Sequence, residues 1–354
     1  MKEKIAVAIS GGVDSSTIAG RLIQEGYEVV GITLKLWVEG LDENGDTPAT
    51  RDARAVCEFY GIPHVIIDAR DTFKDSVVDY FLEEYKVGRT PNPCVFCNKN
   101  IKFKLMLDKA LELGCSKLVT GHYAQVKYNE ELDEYELHRG IDPQKDQSYV
   151  LYTVSQHVLS HVLFPLGNQS KTKTREEAHQ MELPTADKPD SLDICFIPNN
   201  DTQAFLDGQA KTAVRQGNIV HENGTILGTH EGIQHYTIGQ RKGLGVAYEY
   251  PLYVIRLDAD TNTVVVGPND SLYQHTMICK HYNFISGKIP TEVITVKGKI
   301  RYASEPAACT VEVLSDETMK VTFVEAQRAI TPGQSVVFFD GTKVLGGGII
   351  EHTI

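Results

Sequence analysis

The sequence predicts an α/β domain built on a parallel sheet, followed by a small connector and a C-terminal antiparallel β-barrel. Up to about Asp201, short apolar runs alternate with stretches of helical periodicity, which is typical of a parallel sheet with helices on both faces. Beyond that point the helical periodicity fades and glycine-rich turns become frequent. From about Val293, short alternating strands recur at regular spacing, which is typical of a small barrel.

The elements of the parallel sheet follow one another in order along the chain. We predict strands at residues 5–9, 28–36, 64–68 and 117–120, and helices at residues 51–60, 73–85 and 101–113. Another helix follows the first strand, with Ile18, Leu22 and Ile23 on one face. Ligands of such sheets bind beyond the carboxyl ends of the strands. Residues 10–15 and the pair Gly121-His122 fall at such ends, so we expect the site there.

Composition narrows the class of protein. Hydrophobic residues make up 42% and charged residues 23%, as in a globular domain, and no run approaches the roughly 20 apolar residues of a membrane span. The chain starts directly into a strand without a signal peptide, and its seven cysteines are an odd number. We therefore expect a cytoplasmic monomer without a membrane partner. The net charge of −12 argues against nonspecific nucleic-acid binding, although it permits an enzyme that binds RNA through a local basic patch.

Residues 9–16, Ile-Ser-Gly-Gly-Val-Asp-Ser-Ser, predict a phosphate-binding turn between the first strand and its helix. Glycines let the backbone approach an anion, and the first N–H groups of a helix point at it. The lysine that follows the last glycine in the P-loop of kinases is absent from this segment. The segment instead resembles the pyrophosphate loop of the ATP pyrophosphatases. An ordinary tight turn is the alternative, but it would not require the aspartate and the paired serines.

Two segments carry the cysteines of interest. Residues 88–98 read GRTPNPCVFCN, and the two prolines predict that Cys94 and Cys97 lie on a rigid loop just before a helix. Cys195 follows a polar, proline-containing loop and lies in an apolar run that predicts a strand. The remaining thiols lie in apolar helix or strand patterns and are predicted to be packed in the core. These are Cys57, Cys115, Cys279 and Cys309.

The residues leave three kinds of cysteine chemistry open. Structural zinc would need partner ligands that the sequence does not offer, since there is no second CxxC. An iron–sulfur cluster on Cys94, Cys97 and Cys195, with an open iron position, is an alternative. The third is thiol chemistry, in which one cysteine carries a sulfur atom and another resolves it through a disulfide.

A series of segments resembles the tRNA-specific 2-thiouridylases, in the same order along the chain. They are SGGVDSS, GRTPNPCVFCN, TGHYA, KDQSYVL, DSLDICFIP, GQRKGLG and KIRYAS. The resemblance runs from residue 5 to the C-terminus. It implies an adenine-nucleotide α-hydrolase-like (PP-loop ATP pyrophosphatase) catalytic domain, which we place at residues 1–205. A small central connector domain at residues 206–275 and a tRNA-binding barrel at residues 276–354 follow.

The resemblance also implies a reaction, the 2-thiolation of the wobble uridine in tRNAs for Lys, Glu and Gln. ATP with Mg²⁺ would adenylate the uridine, and a cysteine desulfurase or a sulfur-relay protein would load Cys195 with a persulfide. Cys97 would then close a disulfide with Cys195. The nucleotide-binding positions carried over are Ala8, Ile9, Ser10, Gly11, Gly12, Val13, Asp14, Ser15, Leu34 and Gly121.

Contacts with the anticodon arm of tRNA are implied in the same way. Asn92, Pro93 and Cys94 match the segment that touches the target base, and the other positions are His122, Lys145, Asp146, Gln147, Arg301, Tyr302 and Gln334. The chain departs from the family at Cys94, where several members have an aspartate that is the proposed acid/base. The acid/base assignment is therefore open. Two rival functions are an ammonia-transferring ligase with the same loop, and an RNA-binding module without catalysis.

Overall fold

The computed structural model describes residues 2–38, 46–190, 194–209 and 215–354. Residues 191–193 of the DSLDICFIP segment lie outside the described residues. The predicted fold class is confirmed: the chain forms a parallel-sheet domain, a small central domain and a C-terminal antiparallel barrel. No helix within the described ranges is long and apolar enough to cross a membrane.

A five-stranded parallel sheet organises the first domain. The strands of this part of the chain are β1 (Lys4–Ala8), β2 (Glu28–Lys35), β3 (His64–Asp68), β4 (Lys117–Val119), β5 (Ala124–Asn129), β6 (Glu134–Arg139) and β7 (Val162–Leu163). The sheet runs in the order β3-β2-β1-β4-β7, and every neighbouring pair is parallel. Ile5, Ala6 and Val7 of the central strand are almost completely buried, because helices cover both faces.

Helices connect these strands. They are α1 (Val13–Gln24), α2 (Pro48–Tyr60), α3 (Arg70–Phe73), α4 (Asp79–Lys86), α5 (Pro93–Cys97), α6 (Leu107–Glu112), α7 (Gln156–His161), α8 (Lys171–Gln180) and α9 (Thr202–Gln209). A π-helical segment, Lys74–Val78, joins α3 to α4, and another, Asn98–Met106, joins α5 to α6. Short 3-10 segments occupy Ser148–Val150, Pro165–Asn168, Pro198–Asn200, Ile233–His235 and Asn269–Leu272.

Two expectations about the cysteine segments are wrong. Cys94 and Cys97 lie within helix α5 rather than on a loop, because Pro93 is its first residue, where a missing N–H costs no hydrogen bond. Asn92 caps this helix by accepting a hydrogen bond from the backbone N–H of Cys94 at 3.2 Å. Cys195 lies in a turn rather than a strand, so the apolar residues beside it serve packing and not a sheet.

The central domain is a four-stranded sheet. Its strands are β8 (Gly217–His221), β9 (Ile226–His230), β10 (Tyr253–Asp258) and β11 (Thr263–Gly267). They lie in the order β10-β11-β8-β9, and β11 pairs with β8 in parallel.

The barrel closes on itself. Its strands are β12 (Tyr273–Phe284), β13 (Ile294–Lys299), β14 (Ala307–Val313), β15 (Thr318–Arg328), β16 (Ser335–Asp340) and β17 (Lys343–Thr353). Antiparallel pairing runs β12-β15-β14-β13-β16-β17, and β12 also pairs with β17. One extension of this sheet is not predicted by the sequence pattern. The β5–β6 hairpin of the first domain joins β17, with Leu137 opposite Val344.

The barrel also holds the segment that leads into α5. Thr90 donates its backbone N–H to the Pro332 carbonyl at 2.9 Å, and its own carbonyl accepts from Gln334 Nε2 at 2.8 Å. Arg89 forms a 2.8 Å ion pair with Glu351 of β17. Between the two Thr90 contacts, Gly333 has a φ of +91° and packs directly on the Thr90 backbone. The start of the cysteine helix is therefore fixed by another domain.

We predict that Gly333→Ala destabilises the protein more than Gly341→Ala. Both glycines have positive φ, but a Cβ on Gly333 would lie 2.9 Å from Thr90 backbone atoms, whereas a Cβ on Gly341 would meet no atom within 4 Å. Backbone strain costs each variant about 1 kcal/mol, and overpacking costs Gly333→Ala roughly a further 1–3 kcal/mol. Differential scanning calorimetry of both variants checks this. Equal shifts in Tm would contradict the close packing on Thr90.

Candidate active site

The phosphate-binding turn has the geometry that its sequence predicts. Gly11 has a φ of +72°, and a Cβ there would lie 2.5 Å from Cβ of Asp52, so only glycine fits. Gly12 caps α1 without a side-chain hydrogen bond, which leaves the helix N-terminus available to an anion. The Ser15 hydroxyl lies 3.2 Å from the Ser10 hydroxyl, and the Ser16 hydroxyl donates to the Gly12 carbonyl at 2.8 Å. These bonds brace the turn.

Asp14 lies at the centre of the turn's side-chain contacts. Its Oδ1 accepts hydrogen bonds from Tyr123 at 3.0 Å and from Lys171 at 2.7 Å. The Lys171 ammonium also lies 3.0 Å from Asp190 Oδ1. Burial raises the pKa of Asp190, but hydrogen bonds from Lys145 and Lys171 outweigh it and bring that pKa to about 2. The carboxylate of Asp190 therefore stays ionised at neutral pH.

The ends of the neighbouring strands complete the nucleotide side of the site. A Cβ on Gly121 would lie 3.3 Å from Cβ of Asp14, so the loop after β4 approaches the phosphate turn closely. Ala8 at the end of β1 and Leu34 near the end of β2 are half-buried in one apolar cluster. The structure therefore brings the predicted nucleotide-binding positions to one edge of the sheet. Their role in binding stays a prediction.

His122 lies deep beside this edge. It is 7% exposed, shares a 2.7 Å hydrogen bond with the Thr120 hydroxyl, and its ring centroid lies 5.7 Å from that of Phe103. Burial lowers the pKa of His122 well below its usual value, and the charge of Lys102 lowers it further. His122 is therefore neutral at physiological pH, and its predicted contact with tRNA stays a prediction.

Cys94 and Cys97 lie near opposite ends of α5, and Cys195 is near enough for both to influence its pKa. Cys97 is buried in an apolar cluster with Phe196 and Ile197, which follow Cys195 in the chain. Cys94 is half-buried and Cys195 reaches the surface. All seven cysteines of the chain are thiols in this structure, so the predicted disulfide between Cys97 and Cys195 is not formed and stays a prediction.

Electrostatics link these thiols to one another and to a lysine. Although Cys195 reaches the surface, the protein packed around it shields its thiol from water and raises its pKa; the charges of Cys97 and Cys94 raise it further, to about 12, and Lys102 opposes the shift. Burial likewise raises the pKa of Cys97, and Lys102 again opposes the shift. Lys102 lies five residues after Cys97 on the π-helical segment that continues α5. Its positive charge lowers the pKa of Cys97, Cys195 and His122. No sequence pattern pointed to Lys102 as a site residue.

The predicted tRNA-binding residues fall into two groups. Tyr302 is 44% exposed, its ring lies 5.7 Å from the Lys299 ammonium, and the charge of Cys94 reaches its hydroxyl. Asn92 and Pro93 begin α5 beside it. The side chains of the second group already have hydrogen-bond or ion-pair partners within the protein. The pairs are Lys145 with Asp190, Asp146 with Arg139, Gln147 with Tyr123, Arg301 with Ile238 and Gln334 with Thr90.

The described side chains form no ready-made metal site. Among residues 2–38, 46–190, 194–209 and 215–354, no group of three His, Cys, Asp or Glu side chains is arranged to hold a metal ion. The iron–sulfur alternative on Cys94, Cys97 and Cys195 stays a prediction. Asp14 is the carboxylate of the phosphate turn and would be the protein ligand of a Mg²⁺ ion shared with bound phosphates; that ion stays a prediction.

Comparison with known proteins identifies the family. Family models match the chain over residues 3–199 (tRNA methyl transferase HUP domain), 203–268 (tRNA methyl transferase PRC-barrel domain) and 274–350 (Aminomethyltransferase beta-barrel domain). The tRNA-specific 2-thiouridylase MnmA 1 of Caldanaerobacter subterraneus subsp. tengcongensis is 45% identical over 361 residues, covering 100% of this chain and 99% of that protein. This chain belongs to the tRNA-specific 2-thiouridylase family.

A further 2-thiouridylase, MnmA of Carboxydothermus hydrogenoformans, is 45% identical over 360 residues and covers 100% of this chain and 99% of its own length. The solved U34-tRNA thiolase NcsA from Methanococcus maripaludis, described with its 4Fe–4S cluster, is 20% identical, with a TM-score of 0.36. It covers 54% of this 2-thiouridylase chain and 60% of its own, and a likeness this low carries no argument about the site.

We predict that Lys102→Met slows alkylation of Cys97 and Cys195 by iodoacetamide. Removing the ammonium raises the pKa of both thiols, so less thiolate is present at any pH below that pKa, and one pKa unit is about a tenfold loss in rate. Peptide mass spectrometry across a pH series measures each cysteine. Lys104→Met, at an exposed position of the same segment, is the control and should leave both rates unchanged. Equal profiles for Lys102→Met and the unchanged protein would refute this assignment of Lys102.

Proposed function

We propose that this chain catalyses the ATP-dependent 2-thiolation of the wobble uridine in tRNAs for Lys, Glu and Gln. The observation that carries the proposal is that one edge of the parallel sheet presents both a phosphate turn and a pair of cysteines. Gly121 packs on Asp14, and Leu34 near the end of β2 packs in the apolar clusters that include Cys94 and Cys97. The phosphate turn and the cysteines are therefore neighbours, so a base activated at the turn would lie near the sulfur donor.

The first step activates the base. The uridine O2 attacks the α-phosphorus of ATP, the bond to the β-phosphate breaks, and pyrophosphate leaves. The N-terminus of α1 and the backbone around Gly11 and Gly12 hold the phosphates. Mg²⁺, when bound, offsets phosphate charge. Leu34 and Gly121 line the adenosine. The uridine must leave its stack to reach this site, as bases do in other enzymes that modify them.

The second step replaces oxygen by sulfur. The outer sulfur of a Cys195 persulfide attacks C2, and AMP departs with the former O2 and its electron pair. The Cys97 thiolate then attacks the Cys195 sulfur. The bond to the outer sulfur breaks, its electrons stay with the thiouridine, and a Cys97–Cys195 disulfide remains. A dithiol reductant restores both thiols, and a cysteine desulfurase or a sulfur-relay protein reloads Cys195. The position of Cys195 at the surface supports loading by another protein.

The tRNA contacts follow from the same arrangement. We propose that Asn92, Pro93 and Cys94 touch the flipped base and that Tyr302 stacks on an unpaired base of the anticodon arm. His122, Lys145, Asp146, Gln147, Arg301 and Gln334 complete the proposed tRNA-binding set. Cys94 stands where several family members have an aspartate, so we assign it to base contact rather than to proton transfer. The domain boundaries at residues 205 and 275, the cytoplasmic location and the monomeric state stay predictions.

Anaerobic reconstitution with ATP, Mg²⁺, a sulfur source and unmodified tRNA for Glu tests the proposal. We expect 2-thiouridine, detected by nucleoside mass spectrometry, from protein that contains no iron. Product only from iron-loaded protein would replace the persulfide with the iron–sulfur alternative. Absence of product from both preparations would contradict thiolation and favour the ammonia-transferring ligase.

We predict that Cys97→Ala and Cys195→Ala each abolish thiolation, while both variants still release pyrophosphate with cognate tRNA. Adenylation needs the phosphate turn, whereas sulfur transfer needs both thiols. Thiouridine and pyrophosphate are measured in the same reactions, with Cys309→Ala in the barrel core as the cysteine control. Full thiolation by the Cys195 variant would overturn the persulfide assignment.

A further inference from the structure

Two lysines from outside the loop motif lie against the phosphate turn. Lys171 begins α8 and places its ammonium 2.7 Å from Asp14 Oδ1. Lys188 lies beyond the C-terminal end of the same helix, donates to the Gly11 carbonyl at 2.9 Å and forms an ion pair with Asp52. The glycine motif therefore forms only part of the lining of this turn, and the side chains of Lys171 and Lys188 form another part.

Carboxylates hold these cations in place before any ligand binds. Lys171, with a side chain 11% exposed, lies between Asp14 and Asp190, and its ammonium is 5.9 Å from the centre of the Tyr123 ring. Asp190 in turn pairs with Lys145 at 2.7 Å and with Arg175 at 2.6 Å. Because these side chains are already ordered, an anion that fits between them binds without the entropy cost of ordering them.

Cations and carboxylates alternate in this cluster. Lys145, Lys171, Arg175 and Lys188 face Asp14, Asp52 and Asp190. A fourth carboxylate, Asp142, accepts the backbone N–H of Lys171 at 3.0 Å, so the cluster is close to neutral. What favours an anion here is the position of the two ammonium groups of Lys171 and Lys188, beside the positive end of α1.

We propose that Lys171 and Lys188 bind the β- and γ-phosphates of ATP and hold the pyrophosphate product. This inference rests on the proposed function, in which pyrophosphate is the leaving group. When the bond from the α-phosphorus breaks, the bridging electrons pass to the β-phosphate oxygen. Ammonium groups at that end of the turn stabilise the charge that develops there. The adenosine and the α-phosphate lie on the other side, towards Leu34 and Gly121.

A phosphate of the tRNA backbone is the other anion that these lysines could bind. The near-complete burial of the Lys171 side chain favours the smaller anion, because a polynucleotide strand needs an open surface. Lys188 contacts the carbonyl of Gly11 itself, and so lies at the turn rather than on a flanking surface.

Titration calorimetry with pyrophosphate and with AMP, in separate experiments without tRNA, tests the proposal on the full chain. We expect Lys171→Met and Lys188→Met to weaken pyrophosphate binding about tenfold or more and to leave AMP binding within about twofold. Lys173→Met is the matched control, because it is an exposed lysine on the same helix and should bind pyrophosphate normally. Lys171→Arg keeps the charge and should retain most of the affinity.

Unchanged pyrophosphate binding by both methionine variants would overturn the proposal, and so would an equal loss of AMP binding. If Lys171→Met does not fold, Lys188→Met, with a side chain 38% exposed, tests the same expectation. Filter binding of tRNA without ATP separates the two phosphate sources, since weakened tRNA binding with normal pyrophosphate binding would assign these lysines to RNA. Normal pyrophosphate binding by an unchanged protein that makes no thiouridine would contradict the proposed function and leave this site intact.

Discussion

The hold of the barrel on Thr90 is the contact on which the position of the cysteine helix depends. Two hydrogen bonds to the Thr90 backbone, one of them from the Gln334 side chain, and the close approach of Gly333 fix Thr90, and α5 begins three residues later. Asn92 then caps the helix and Pro93 occupies its first turn, so the directions of Cys94 and Cys97 follow from the placement of Thr90. A domain that contributes no cysteine to the candidate site thus determines where Cys94 and Cys97 point.

Burial and charge act on these thiols in opposite directions. A buried thiol keeps its proton, and this protects Cys97 from adventitious oxidation when no substrate is present. The reaction nevertheless needs a sulfur anion, and Lys102 supplies a positive charge that acts on both Cys97 and Cys195. The same lysine helps to keep His122 neutral. One ammonium group therefore lowers the pKa of groups from three separate parts of the chain, while burial remains the larger influence on each of them.

Sequence patterns predicted the elements whose signals are local. The strand at His64–Asp68 lies where its apolar run places it, and the glycines of the phosphate turn have the backbone that their motif requires. The helix around Cys94 was missed because proline was read as a breaker, whereas at the first helical position it is tolerated. Lys102 and Lys188 were missed as site residues for a different reason. Cys195 and the phosphate turn, near which they lie, are distant from them in sequence, and a lysine is ordinarily a solvated surface group.

The β5–β6 hairpin shows that the first domain and the barrel are not structurally separate. It leaves the parallel-sheet domain to pair with β17, and its Leu137 lies in one continuous core with Val337, Phe339 and Val344 of the barrel. Tyr149 and Tyr152, also fully buried, bond to Ser335 across the same boundary. The catalytic part and the barrel thus share one interior, so neither is an autonomous folding unit. Excising the barrel would leave an unpaired strand edge and an exposed apolar surface on the remainder of the chain. For the same reason, a recombinant of two relatives would keep a complementary core only if it took both parts from the same parent.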